Sequence, residues 1–410
     1  MTSSALSAAP DAAPSQARAG GRILAACCGA HALHDGYTDL LLVLFPVWQA
    51  ELGLSLAEVG FLKTAYSGVM AGLQLPAGLL ANRLGERAML ALGTGVAALA
   101  YLLVGWSGAF LGLAVCLALG GFGASVQHPL SSSLIARAFA GQRQRTALST
   151  YNFSGDIGKM LVPAATAWLV AGWHWRGAVQ VMGLVGLVAA AALLVLLPKA
   201  ARQGGAVADT RGEGDAAPLP AELARRGFVS LSLIGIIDSA TRAGFLVLLP
   251  FLLTAKGASL PTIGTALTLV FAGGATGKFV CGVMAARLGV LRTVILTEGG
   301  TALGMLILLP LPLAAALFLL PLIGVALNGT SSVLYGTVAE LAPPERRARA
   351  FGVFYTCTIG AGAVSPALCG LLSDGVGLTA TLAVIGAVVL LVLPLSLLLR
   401  PALRWIAGVT

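Results

Sequence analysis

Apolar residues along this chain gather into runs of about twenty or more, separated by short breaks where charge, glycine or proline collects. The first six runs read 22–49, 57–80, 88–106, 109–137, 146–171 and 177–197. The second six read 228–254, 261–284, 290–309, 314–340, 350–373 and 377–398. Each is long enough to cross a bilayer as a helix. The expected fold is an all-α polytopic membrane protein, with twelve transmembrane helices in two six-helix halves, 22–198 and 228–399. Residues 199–227 are rich in Ala, Gly, Pro and charge, cannot fill a bilayer, and read as a linker. Residues 1–21 and 400–410 read as short tails.

Composition agrees with that pattern. Of 410 residues, 58% are hydrophobic and 10% are charged, against about 25% charged in an ordinary soluble domain. That balance excludes a soluble enzyme. The net charge of +9 suggests a nucleic-acid partner until the charges are placed. Arg18, Arg22, Arg83, Arg87, Arg137, Arg143 and Arg145 fall in the N-terminal tail and the breaks after spans 2 and 4. The linker and the later alternate breaks continue the series to Arg400 and Arg404. Nineteen of the 25 Lys and Arg therefore share one side of a twelve-span chain, while Arg176 and Lys256 mark the other. Loops rich in Lys and Arg stay cytoplasmic, so both termini and the linker are expected there. The basicity is a topology signal, not a nucleic-acid surface. Six cysteines lie in apolar stretches without metal-ligand spacing and read as small hydrophobes. Trp48, Trp106, Trp173 and Trp175, at span ends, read as interfacial anchors.

The halves repeat. A shift of 204 residues lays Pro46 on Pro250, Gly53 on Gly257, Gly60 on Gly264 and Arg83-Leu84-Gly85 on Arg287-Leu288-Gly289. About fifteen of the 52 positions from 34 to 85 are identical without a gap. Parallel six-helix repeats joined by a linker are the architecture of major facilitator transporters. The stretch Gly78-Leu79-Leu80-Ala81-Asn82-Arg83-Leu84-Gly85-Glu86-Arg87 resembles the loop 2–3 signature of that superfamily, with Asn82, and Ala286 in the second copy, where an acid is usual. The resemblance implies a gating loop built on Gly78, Asn82, Arg83, Gly85 and Arg87. Three segments further resemble the fosmidomycin-resistance branch. They are His31-Ala32-Leu33-His34-Asp35-Gly36, His128-Pro129 followed by Ser131-Ser132, and Gly155-Asp156-Ile157-Gly158 followed by Pro163. Leu130 stands where that branch usually has an acid.

A charge at mid-bilayer costs about 2.5–3.5 kcal/mol on insertion scales, so each must pair, face water or serve a function. The interior candidates are His34, Asp35 and Asp39 in span 1, Lys63 in span 2, His128 in span 4, and Asp156 and Lys159 in span 5. Asp238 and Arg242 in span 7, Lys278 in span 8 and Glu298 in span 9 complete the set. In the family resembled, spans 1, 4, 7 and 10 line the cavity and 2, 5, 8 and 11 flank it. All but Glu298 lie on those spans, and Glu298 reads as a buried pair or a residue near the interface. Asp35 and Asp39 share one helical face; with His128 and His34 they are the expected proton-coupling groups, or else partners of Lys63 and Lys159. His128 precedes Pro129, which kinks a helix and frees a carbonyl. Lys159, Arg242 and Lys278 suit an anionic substrate, or balance Asp156, Asp238 and the span 1 acids. Gln127, Asn328 and Tyr335 are further substrate-binding candidates, with Asn152 and Tyr355 as other polar positions. Asp238 and Arg242, one turn apart, form a pair or a substrate site.

The expected function is a secondary transporter in a bacterial-type inner membrane, with H+ and a small-molecule substrate as partners and the lipid bilayer around a monomer. No glycine-rich loop with Lys-Ser/Thr is present to bind nucleotide, and no cofactor or metal is expected. The resemblance implies proton-coupled export of a small polar or anionic antibiotic or metabolite. The rival reading is a proton symporter that takes up a small carboxylate. A membrane enzyme would need a catalytic cluster, and Asp156 with Lys159 is the nearest approach to one.

Overall fold

The structure, a computed structural model, describes residues 14–198, 219–342 and 346–406. Most of the expected linker and parts of both expected tails lie outside the described residues, as do Lys199, Arg202 and Arg211. Fourteen helices are described. In the first half they are α1 (Pro14–Leu52), α2 (Leu56–Leu84), α3 (Glu86–Val104), α4 (Phe110–Ala124), α5 (Gln127–Ala138), α6 (Gly141–Gly172) and α7 (Trp175–Leu196). The second half has α8 (Ala221–Ala255), α9 (Leu260–Leu288), α10 (Val290–Leu308), α11 (Leu313–Leu341), α12 (Arg347–Val376), α13 (Leu378–Val389) and α14 (Val392–Ile406).

Fourteen helices make twelve spans because two spans are broken. The break between α4 and α5, at Ser125–Val126, falls just before Pro129. That proline lacks the N–H that would bond the Ser125 carbonyl four residues back. Pro394 stands in the same relation to Leu390, where α13 ends and α14 begins. Nine spans are long and apolar enough to cross a membrane by length and composition alone. The other three are α1, α2 and α6, the helices that carry His34, Asp35, Asp39, Lys63, Asp156 and Lys159. All of these but the partly exposed Lys159 are buried inside the protein, where a bilayer tolerates polarity.

The repeat read from the sequence recurs in the backbone. Gly53 and Gly257 turn the chain at φ +68° and +86°, and Gly85 and Gly289 at φ +84° and +83°. These are conformations that a side chain would strain. Two residues after the first pair, Ser55 and Ser259 each cap the following helix, Ser55 in a capping box with Glu58.

Packing is asymmetric along the helix axes. At the arginine-poor end one apolar core runs through both halves, joining Leu40–Phe45 and Val59 to Val247–Phe251 and Ile263. Toward the arginine-rich end the core divides in two. One part holds Ala26, Met89 and Leu134 of the first half; the other holds Leu231, Val338 and Ala402 of the second. The halves touch chiefly through α2 with α12 and α6 with α9. The contacts lie near the arginine-poor end. A Cβ on Gly60 would come within 2.2 Å of the Pro366 carbonyl oxygen, and one on Gly370 within 2.2 Å of the Leu56 carbonyl oxygen. Asp374 of α12 accepts from the backbone N–H groups of Leu56 and Ala57, at 3.0 Å each, in the first turn of α2. The carboxylate of one half thus caps a helix N-terminus of the other, where the peptide dipoles favour negative charge. Among the described residues, the halves meet toward the arginine-poor end and keep separate cores toward the arginine-rich end.

Two of the expected interfacial tryptophans are core residues instead. Trp48 and Trp175 are buried and pack edge to face at 5.8 Å, and Trp175 Nε1 donates to Glu51 at 2.5 Å. The reason is local. Glu51 also binds Arg176 and His174, drawing the end of α1 onto the start of α7 over both rings. Trp106 and Trp173 are exposed, as anchors would be.

Candidate functional site

Helical spacing brings His31, Asp35 and Asp39 onto one face of α1. Asp35 is the hub. Its carboxylate lies 3.3 Å from His31 Nε2, 3.6 Å from His128 Nε2 at the start of α5, and 3.2 Å from Lys159 Nζ on α6. His31 Nδ1 donates to the Tyr151 carbonyl oxygen at 2.7 Å, and the two rings stack at 4.1 Å. With Nδ1 committed as a donor, Nε2 carries a lone pair whenever His31 is neutral. A lone pair facing a carboxylate at 3.3 Å needs a proton between them. Gln127 is fully buried behind it and donates to the Tyr151 hydroxyl at 3.1 Å.

One turn further along, Asp39 pairs with Lys63 at 3.8 Å, and Lys63 Nζ also donates to the Thr38 carbonyl at 2.6 Å. His34 lies off this face. Its Nε2 contacts Thr94 Oγ1 of α3 at 2.9 Å, and Thr94 itself donates to the Leu90 carbonyl. That arrangement places the proton on Nε2 and leaves Nδ1 buried without a partner.

Asp156 does not pair with Lys159, three residues away on α6. It accepts two hydrogen bonds, each 2.7 Å, from Lys278 Nζ of α9 in the other half. Among the described residues this is the one ion pair that crosses between halves. In the second half Arg242 lies 3.5 Å from Asp238, one turn apart on α8. Beside them is a small cavity lined by Ser239, Ser331, Tyr335, Phe354 and Thr358. Tyr335 stacks on Tyr355 at 4.7 Å. Asn328 packs toward Gly274 and bonds back to the Gly324 carbonyl, within the α9–α11 contact. Asn152 is exposed.

The pairs share an orientation. The side chains of His128, Lys159, Arg242 and Lys278 are 40%, 30%, 24% and 41% exposed. The carboxylates they meet, on Asp35, Asp238 and Asp156, are only 5–11% exposed. Each of these basic groups is more exposed than the carboxylate it meets. Lys63 is the exception, at 9%.

At the arginine-rich end, the loop 2–3 segment keeps its ties within the first half. Glu86 pairs with Arg137 of α5, and Arg87 donates to the Leu194 carbonyl of α7. Gly85 makes the turn and Arg83 is exposed. A Cβ on Gly78 would meet nothing. The side chain of Asn82 lies outside the described ones.

Two members of these clusters go beyond the sequence reading. His31 is four residues from Asp35, the same spacing that singled out Asp39, and that spacing was the available signal. Glu298 stands on α10, a span expected to be peripheral, yet it is 2% exposed and has no basic partner among the described residues.

Two alike six-helix halves, meeting at one end around buried ion pairs, have the architecture of a secondary transporter. The chain belongs to the Major Facilitator Superfamily, which it matches over residues 27–231 and 231–405. It is 29% identical over 160 residues to a fosmidomycin resistance protein of Escherichia coli (strain K12), a stretch covering 39% of each chain. It is 32% identical over 160 residues to dipeptide and tripeptide permease A of Salmonella typhi, covering 37% of this chain and 31% of that one. These matched stretches span well under two thirds of either relative. Among solved structures, a bacterial homolog to the human lysosomal transporter Spinster, inward-facing and unoccupied, aligns with a TM-score of 0.70. That alignment has 16% identity and covers 96% of this chain and 97% of that one, a likeness of fold.

Proposed function

We propose that this chain is a proton-coupled secondary transporter of a small anionic compound, working by alternating access as a monomer in a bacterial inner membrane. The observation that carries this reading is the pairing of the partly exposed bases His128, Lys159, Arg242 and Lys278 with more deeply buried carboxylates, inside helices. The arginine-rich end is the cytoplasmic one by the positive-inside bias. Each cation is neutralised by its own acid when the site is empty. Protonating Asp35, through His31 or His128, leaves Lys159 free to hold an anionic group. Anion and proton then bind together and cross together, which makes the cycle a symport. The likeness to a fosmidomycin resistance protein favours a second reading, export by proton antiport. In that cycle the proton and the substrate take turns on the same groups.

Ligand-induced thermal stabilisation of the purified protein tests the binding claim, because a ligand that binds only the folded state raises its stability. Phosphonates and small carboxylates are expected to raise the melting temperature, and Arg242→Gln and Lys278→Gln to reduce that rise. Stabilisation by cationic drugs alone would sink the anion assignment. Co-binding further predicts stronger stabilisation by the same anions at lower pH, whereas antiport predicts weaker stabilisation.

A further inference from the structure

His31 and Asp35 stand one helical turn apart on α1, and His128 comes to them from the start of α5. Spacing along the chain hides this set, because His128 is far from the α1 pair in sequence. Nε2 of each imidazole meets the Asp35 carboxylate, His31 at 3.3 Å from one oxygen and His128 at 3.6 Å from the other. A charge-assisted hydrogen bond closes to about 2.7–2.9 Å, and both contacts stop short of that. Ligand atoms about 2.0–2.1 Å from a tetrahedral metal ion stand about 3.4 Å from one another. Taking one ligand atom from each residue, the two nitrogens and a carboxylate oxygen lie within 4.8 Å of one another. The remaining closure falls to His128, whose side chain is 40% exposed and is held by no hydrogen bond among the described residues.

The surroundings are those of a metal ligand set. His31 Nδ1 donates to the Tyr151 carbonyl oxygen at 2.7 Å, which turns the Nε2 lone pair toward Asp35. Imidazoles that bind metal ions are oriented by the same kind of bond on their far nitrogen. Stacking on the Tyr151 ring fixes the ring plane as well. On the facing helix α6 stands Gly155. A Cβ there would fall 2.7 Å from Asp35 Oδ2 and 2.7 Å from His31 Nε2, so the glycine keeps free the space beside both ligand atoms. One positive group already uses this carboxylate, for Lys159 Nζ lies 3.2 Å from the same Oδ2. A metal ion meets the need of the His31 lone pair as a proton does, and it competes with Lys159 for Asp35.

We propose that His31, Asp35 and His128 bind one divalent transition-metal ion of the zinc class, in competition with Lys159 for the Asp35 carboxylate. Two imidazoles and one carboxylate suit Zn2+, Co2+ or Ni2+, whereas Mg2+ and Ca2+ take oxygen ligands. Three protein ligands leave a position for water or a small anion. An anion there offsets the charge that the ion brings into the membrane interior. The ion ties α1 to α5, two elements of the same half, so its binding needs no movement of one half against the other. The site stands apart from the transport reading, since it requires neither a substrate nor proton movement.

Visible absorption of Co2+ added to the full-length protein in detergent, carrying no polyhistidine tag, tests the site directly. Tetrahedral Co2+ absorbs far more strongly than the hydrated ion, so coordination geometry is read with affinity. The wild type is expected to develop the tetrahedral bands at one ion per chain, and Zn2+ to abolish them by displacement. His31→Gln, Asp35→Asn and His128→Gln are each expected to lack the bands at the Co2+ concentration that saturates the wild type. His34→Gln and His174→Gln change the other two of the four histidines and are expected to keep them. His174, 3.2 Å from Glu51, is the control for a surface site. His128→Gln is the deciding variant, because its partly exposed side chain can change without unfolding the protein, as its melting temperature will show. Lys159→Met removes the competing cation and is expected to tighten Co2+ binding by about tenfold or more. No tetrahedral bands in the wild type, bands that survive in folded His128→Gln, or bands that disappear in His174→Gln overturn the proposal. Unchanged affinity in Lys159→Met overturns the competition for Asp35.

Discussion

Gly60→Leu is expected to leave the two halves folded, to hold the arginine-poor end apart, and so to abolish transport. A Cβ at Gly60 already falls 2.2 Å from the Pro366 carbonyl oxygen, and backbone on a packed helix has little room to retreat. A leucine has nowhere to go while α2 and α12 are in contact. Each half retains its own core, because α1 packs on α6 and α9 on α11 independently of that contact. Spin labels on the outer ends of α2 and α12 measure the outcome directly. The distance should lengthen in Gly60→Leu, and again in Gly370→Leu, whose Cβ would meet the Leu56 carbonyl. Unchanged distances with normal transport would show that these helices are not the closed gate. Asp374→Asn acts at the same place more gently. A charge at a helix N-terminus contributes about 0.3–1 kcal/mol, so its loss should shift the closed-to-open ratio by a factor of up to about five.

Asp35→Asn carries the other large effect. The change keeps the shape of the side chain but removes the charge that three neighbours face. Lys159 loses its counter-charge. Breaking a buried pair costs about 3–5 kcal/mol, and because the Lys159 side chain is 30% exposed the lower end, about 3 kcal/mol, is expected. Thermal unfolding in detergent should show that loss. The double variant Asp35→Asn, Lys159→Met should recover most of it by removing the stranded cation. Transport driven by a pH gradient should fail in both. A single variant as stable as the wild type would mean that Lys159 finds another acid, and Asp156 is the one within reach along its helix.

The twelve spans and their repeat are legible in the sequence because a bilayer forces each crossing into about twenty apolar residues. The repeat is sharper in the structure. Gly53 and Gly257, and Gly85 and Gly289, adopt matching left-handed turns that composition only hints at. The breaks before Pro129 and Pro394 follow from a missing N–H, yet whether a proline bends a helix or interrupts it depends on its neighbours. The acids and bases were visible one by one. Their pairing was not, because Lys278 finds Asp156 across the interface between halves, 122 residues away in sequence. Their position at span ends places Trp48 and Trp175 at the interface on sequence alone. Glu51 instead ties the two helix ends together over them. Glu298, read as a buried pair or a residue near the interface, stands on a span that is peripheral as a whole. A helix on the periphery still turns one face inward, and Thr297 on that face meets Thr330 of α11 at 2.7 Å.

The central claim is that a cavity presenting cations binds a small anion together with a proton and passes both across the membrane. The most direct measurement is the internal pH of proteoliposomes holding the protein, followed with a trapped dye while phosphonates, carboxylates and cationic drugs are added outside in turn. Symport predicts internal acidification on adding an anion of the right class, none on adding a cation, and loss of the signal in Asp35→Asn. Alkalinisation with the same anions would mean exchange of substrate for protons, as in the export reading. Proton movement with cationic compounds alone would contradict the account, for then Lys159, Arg242 and Lys278 only balance the acids and the acids bind the substrate.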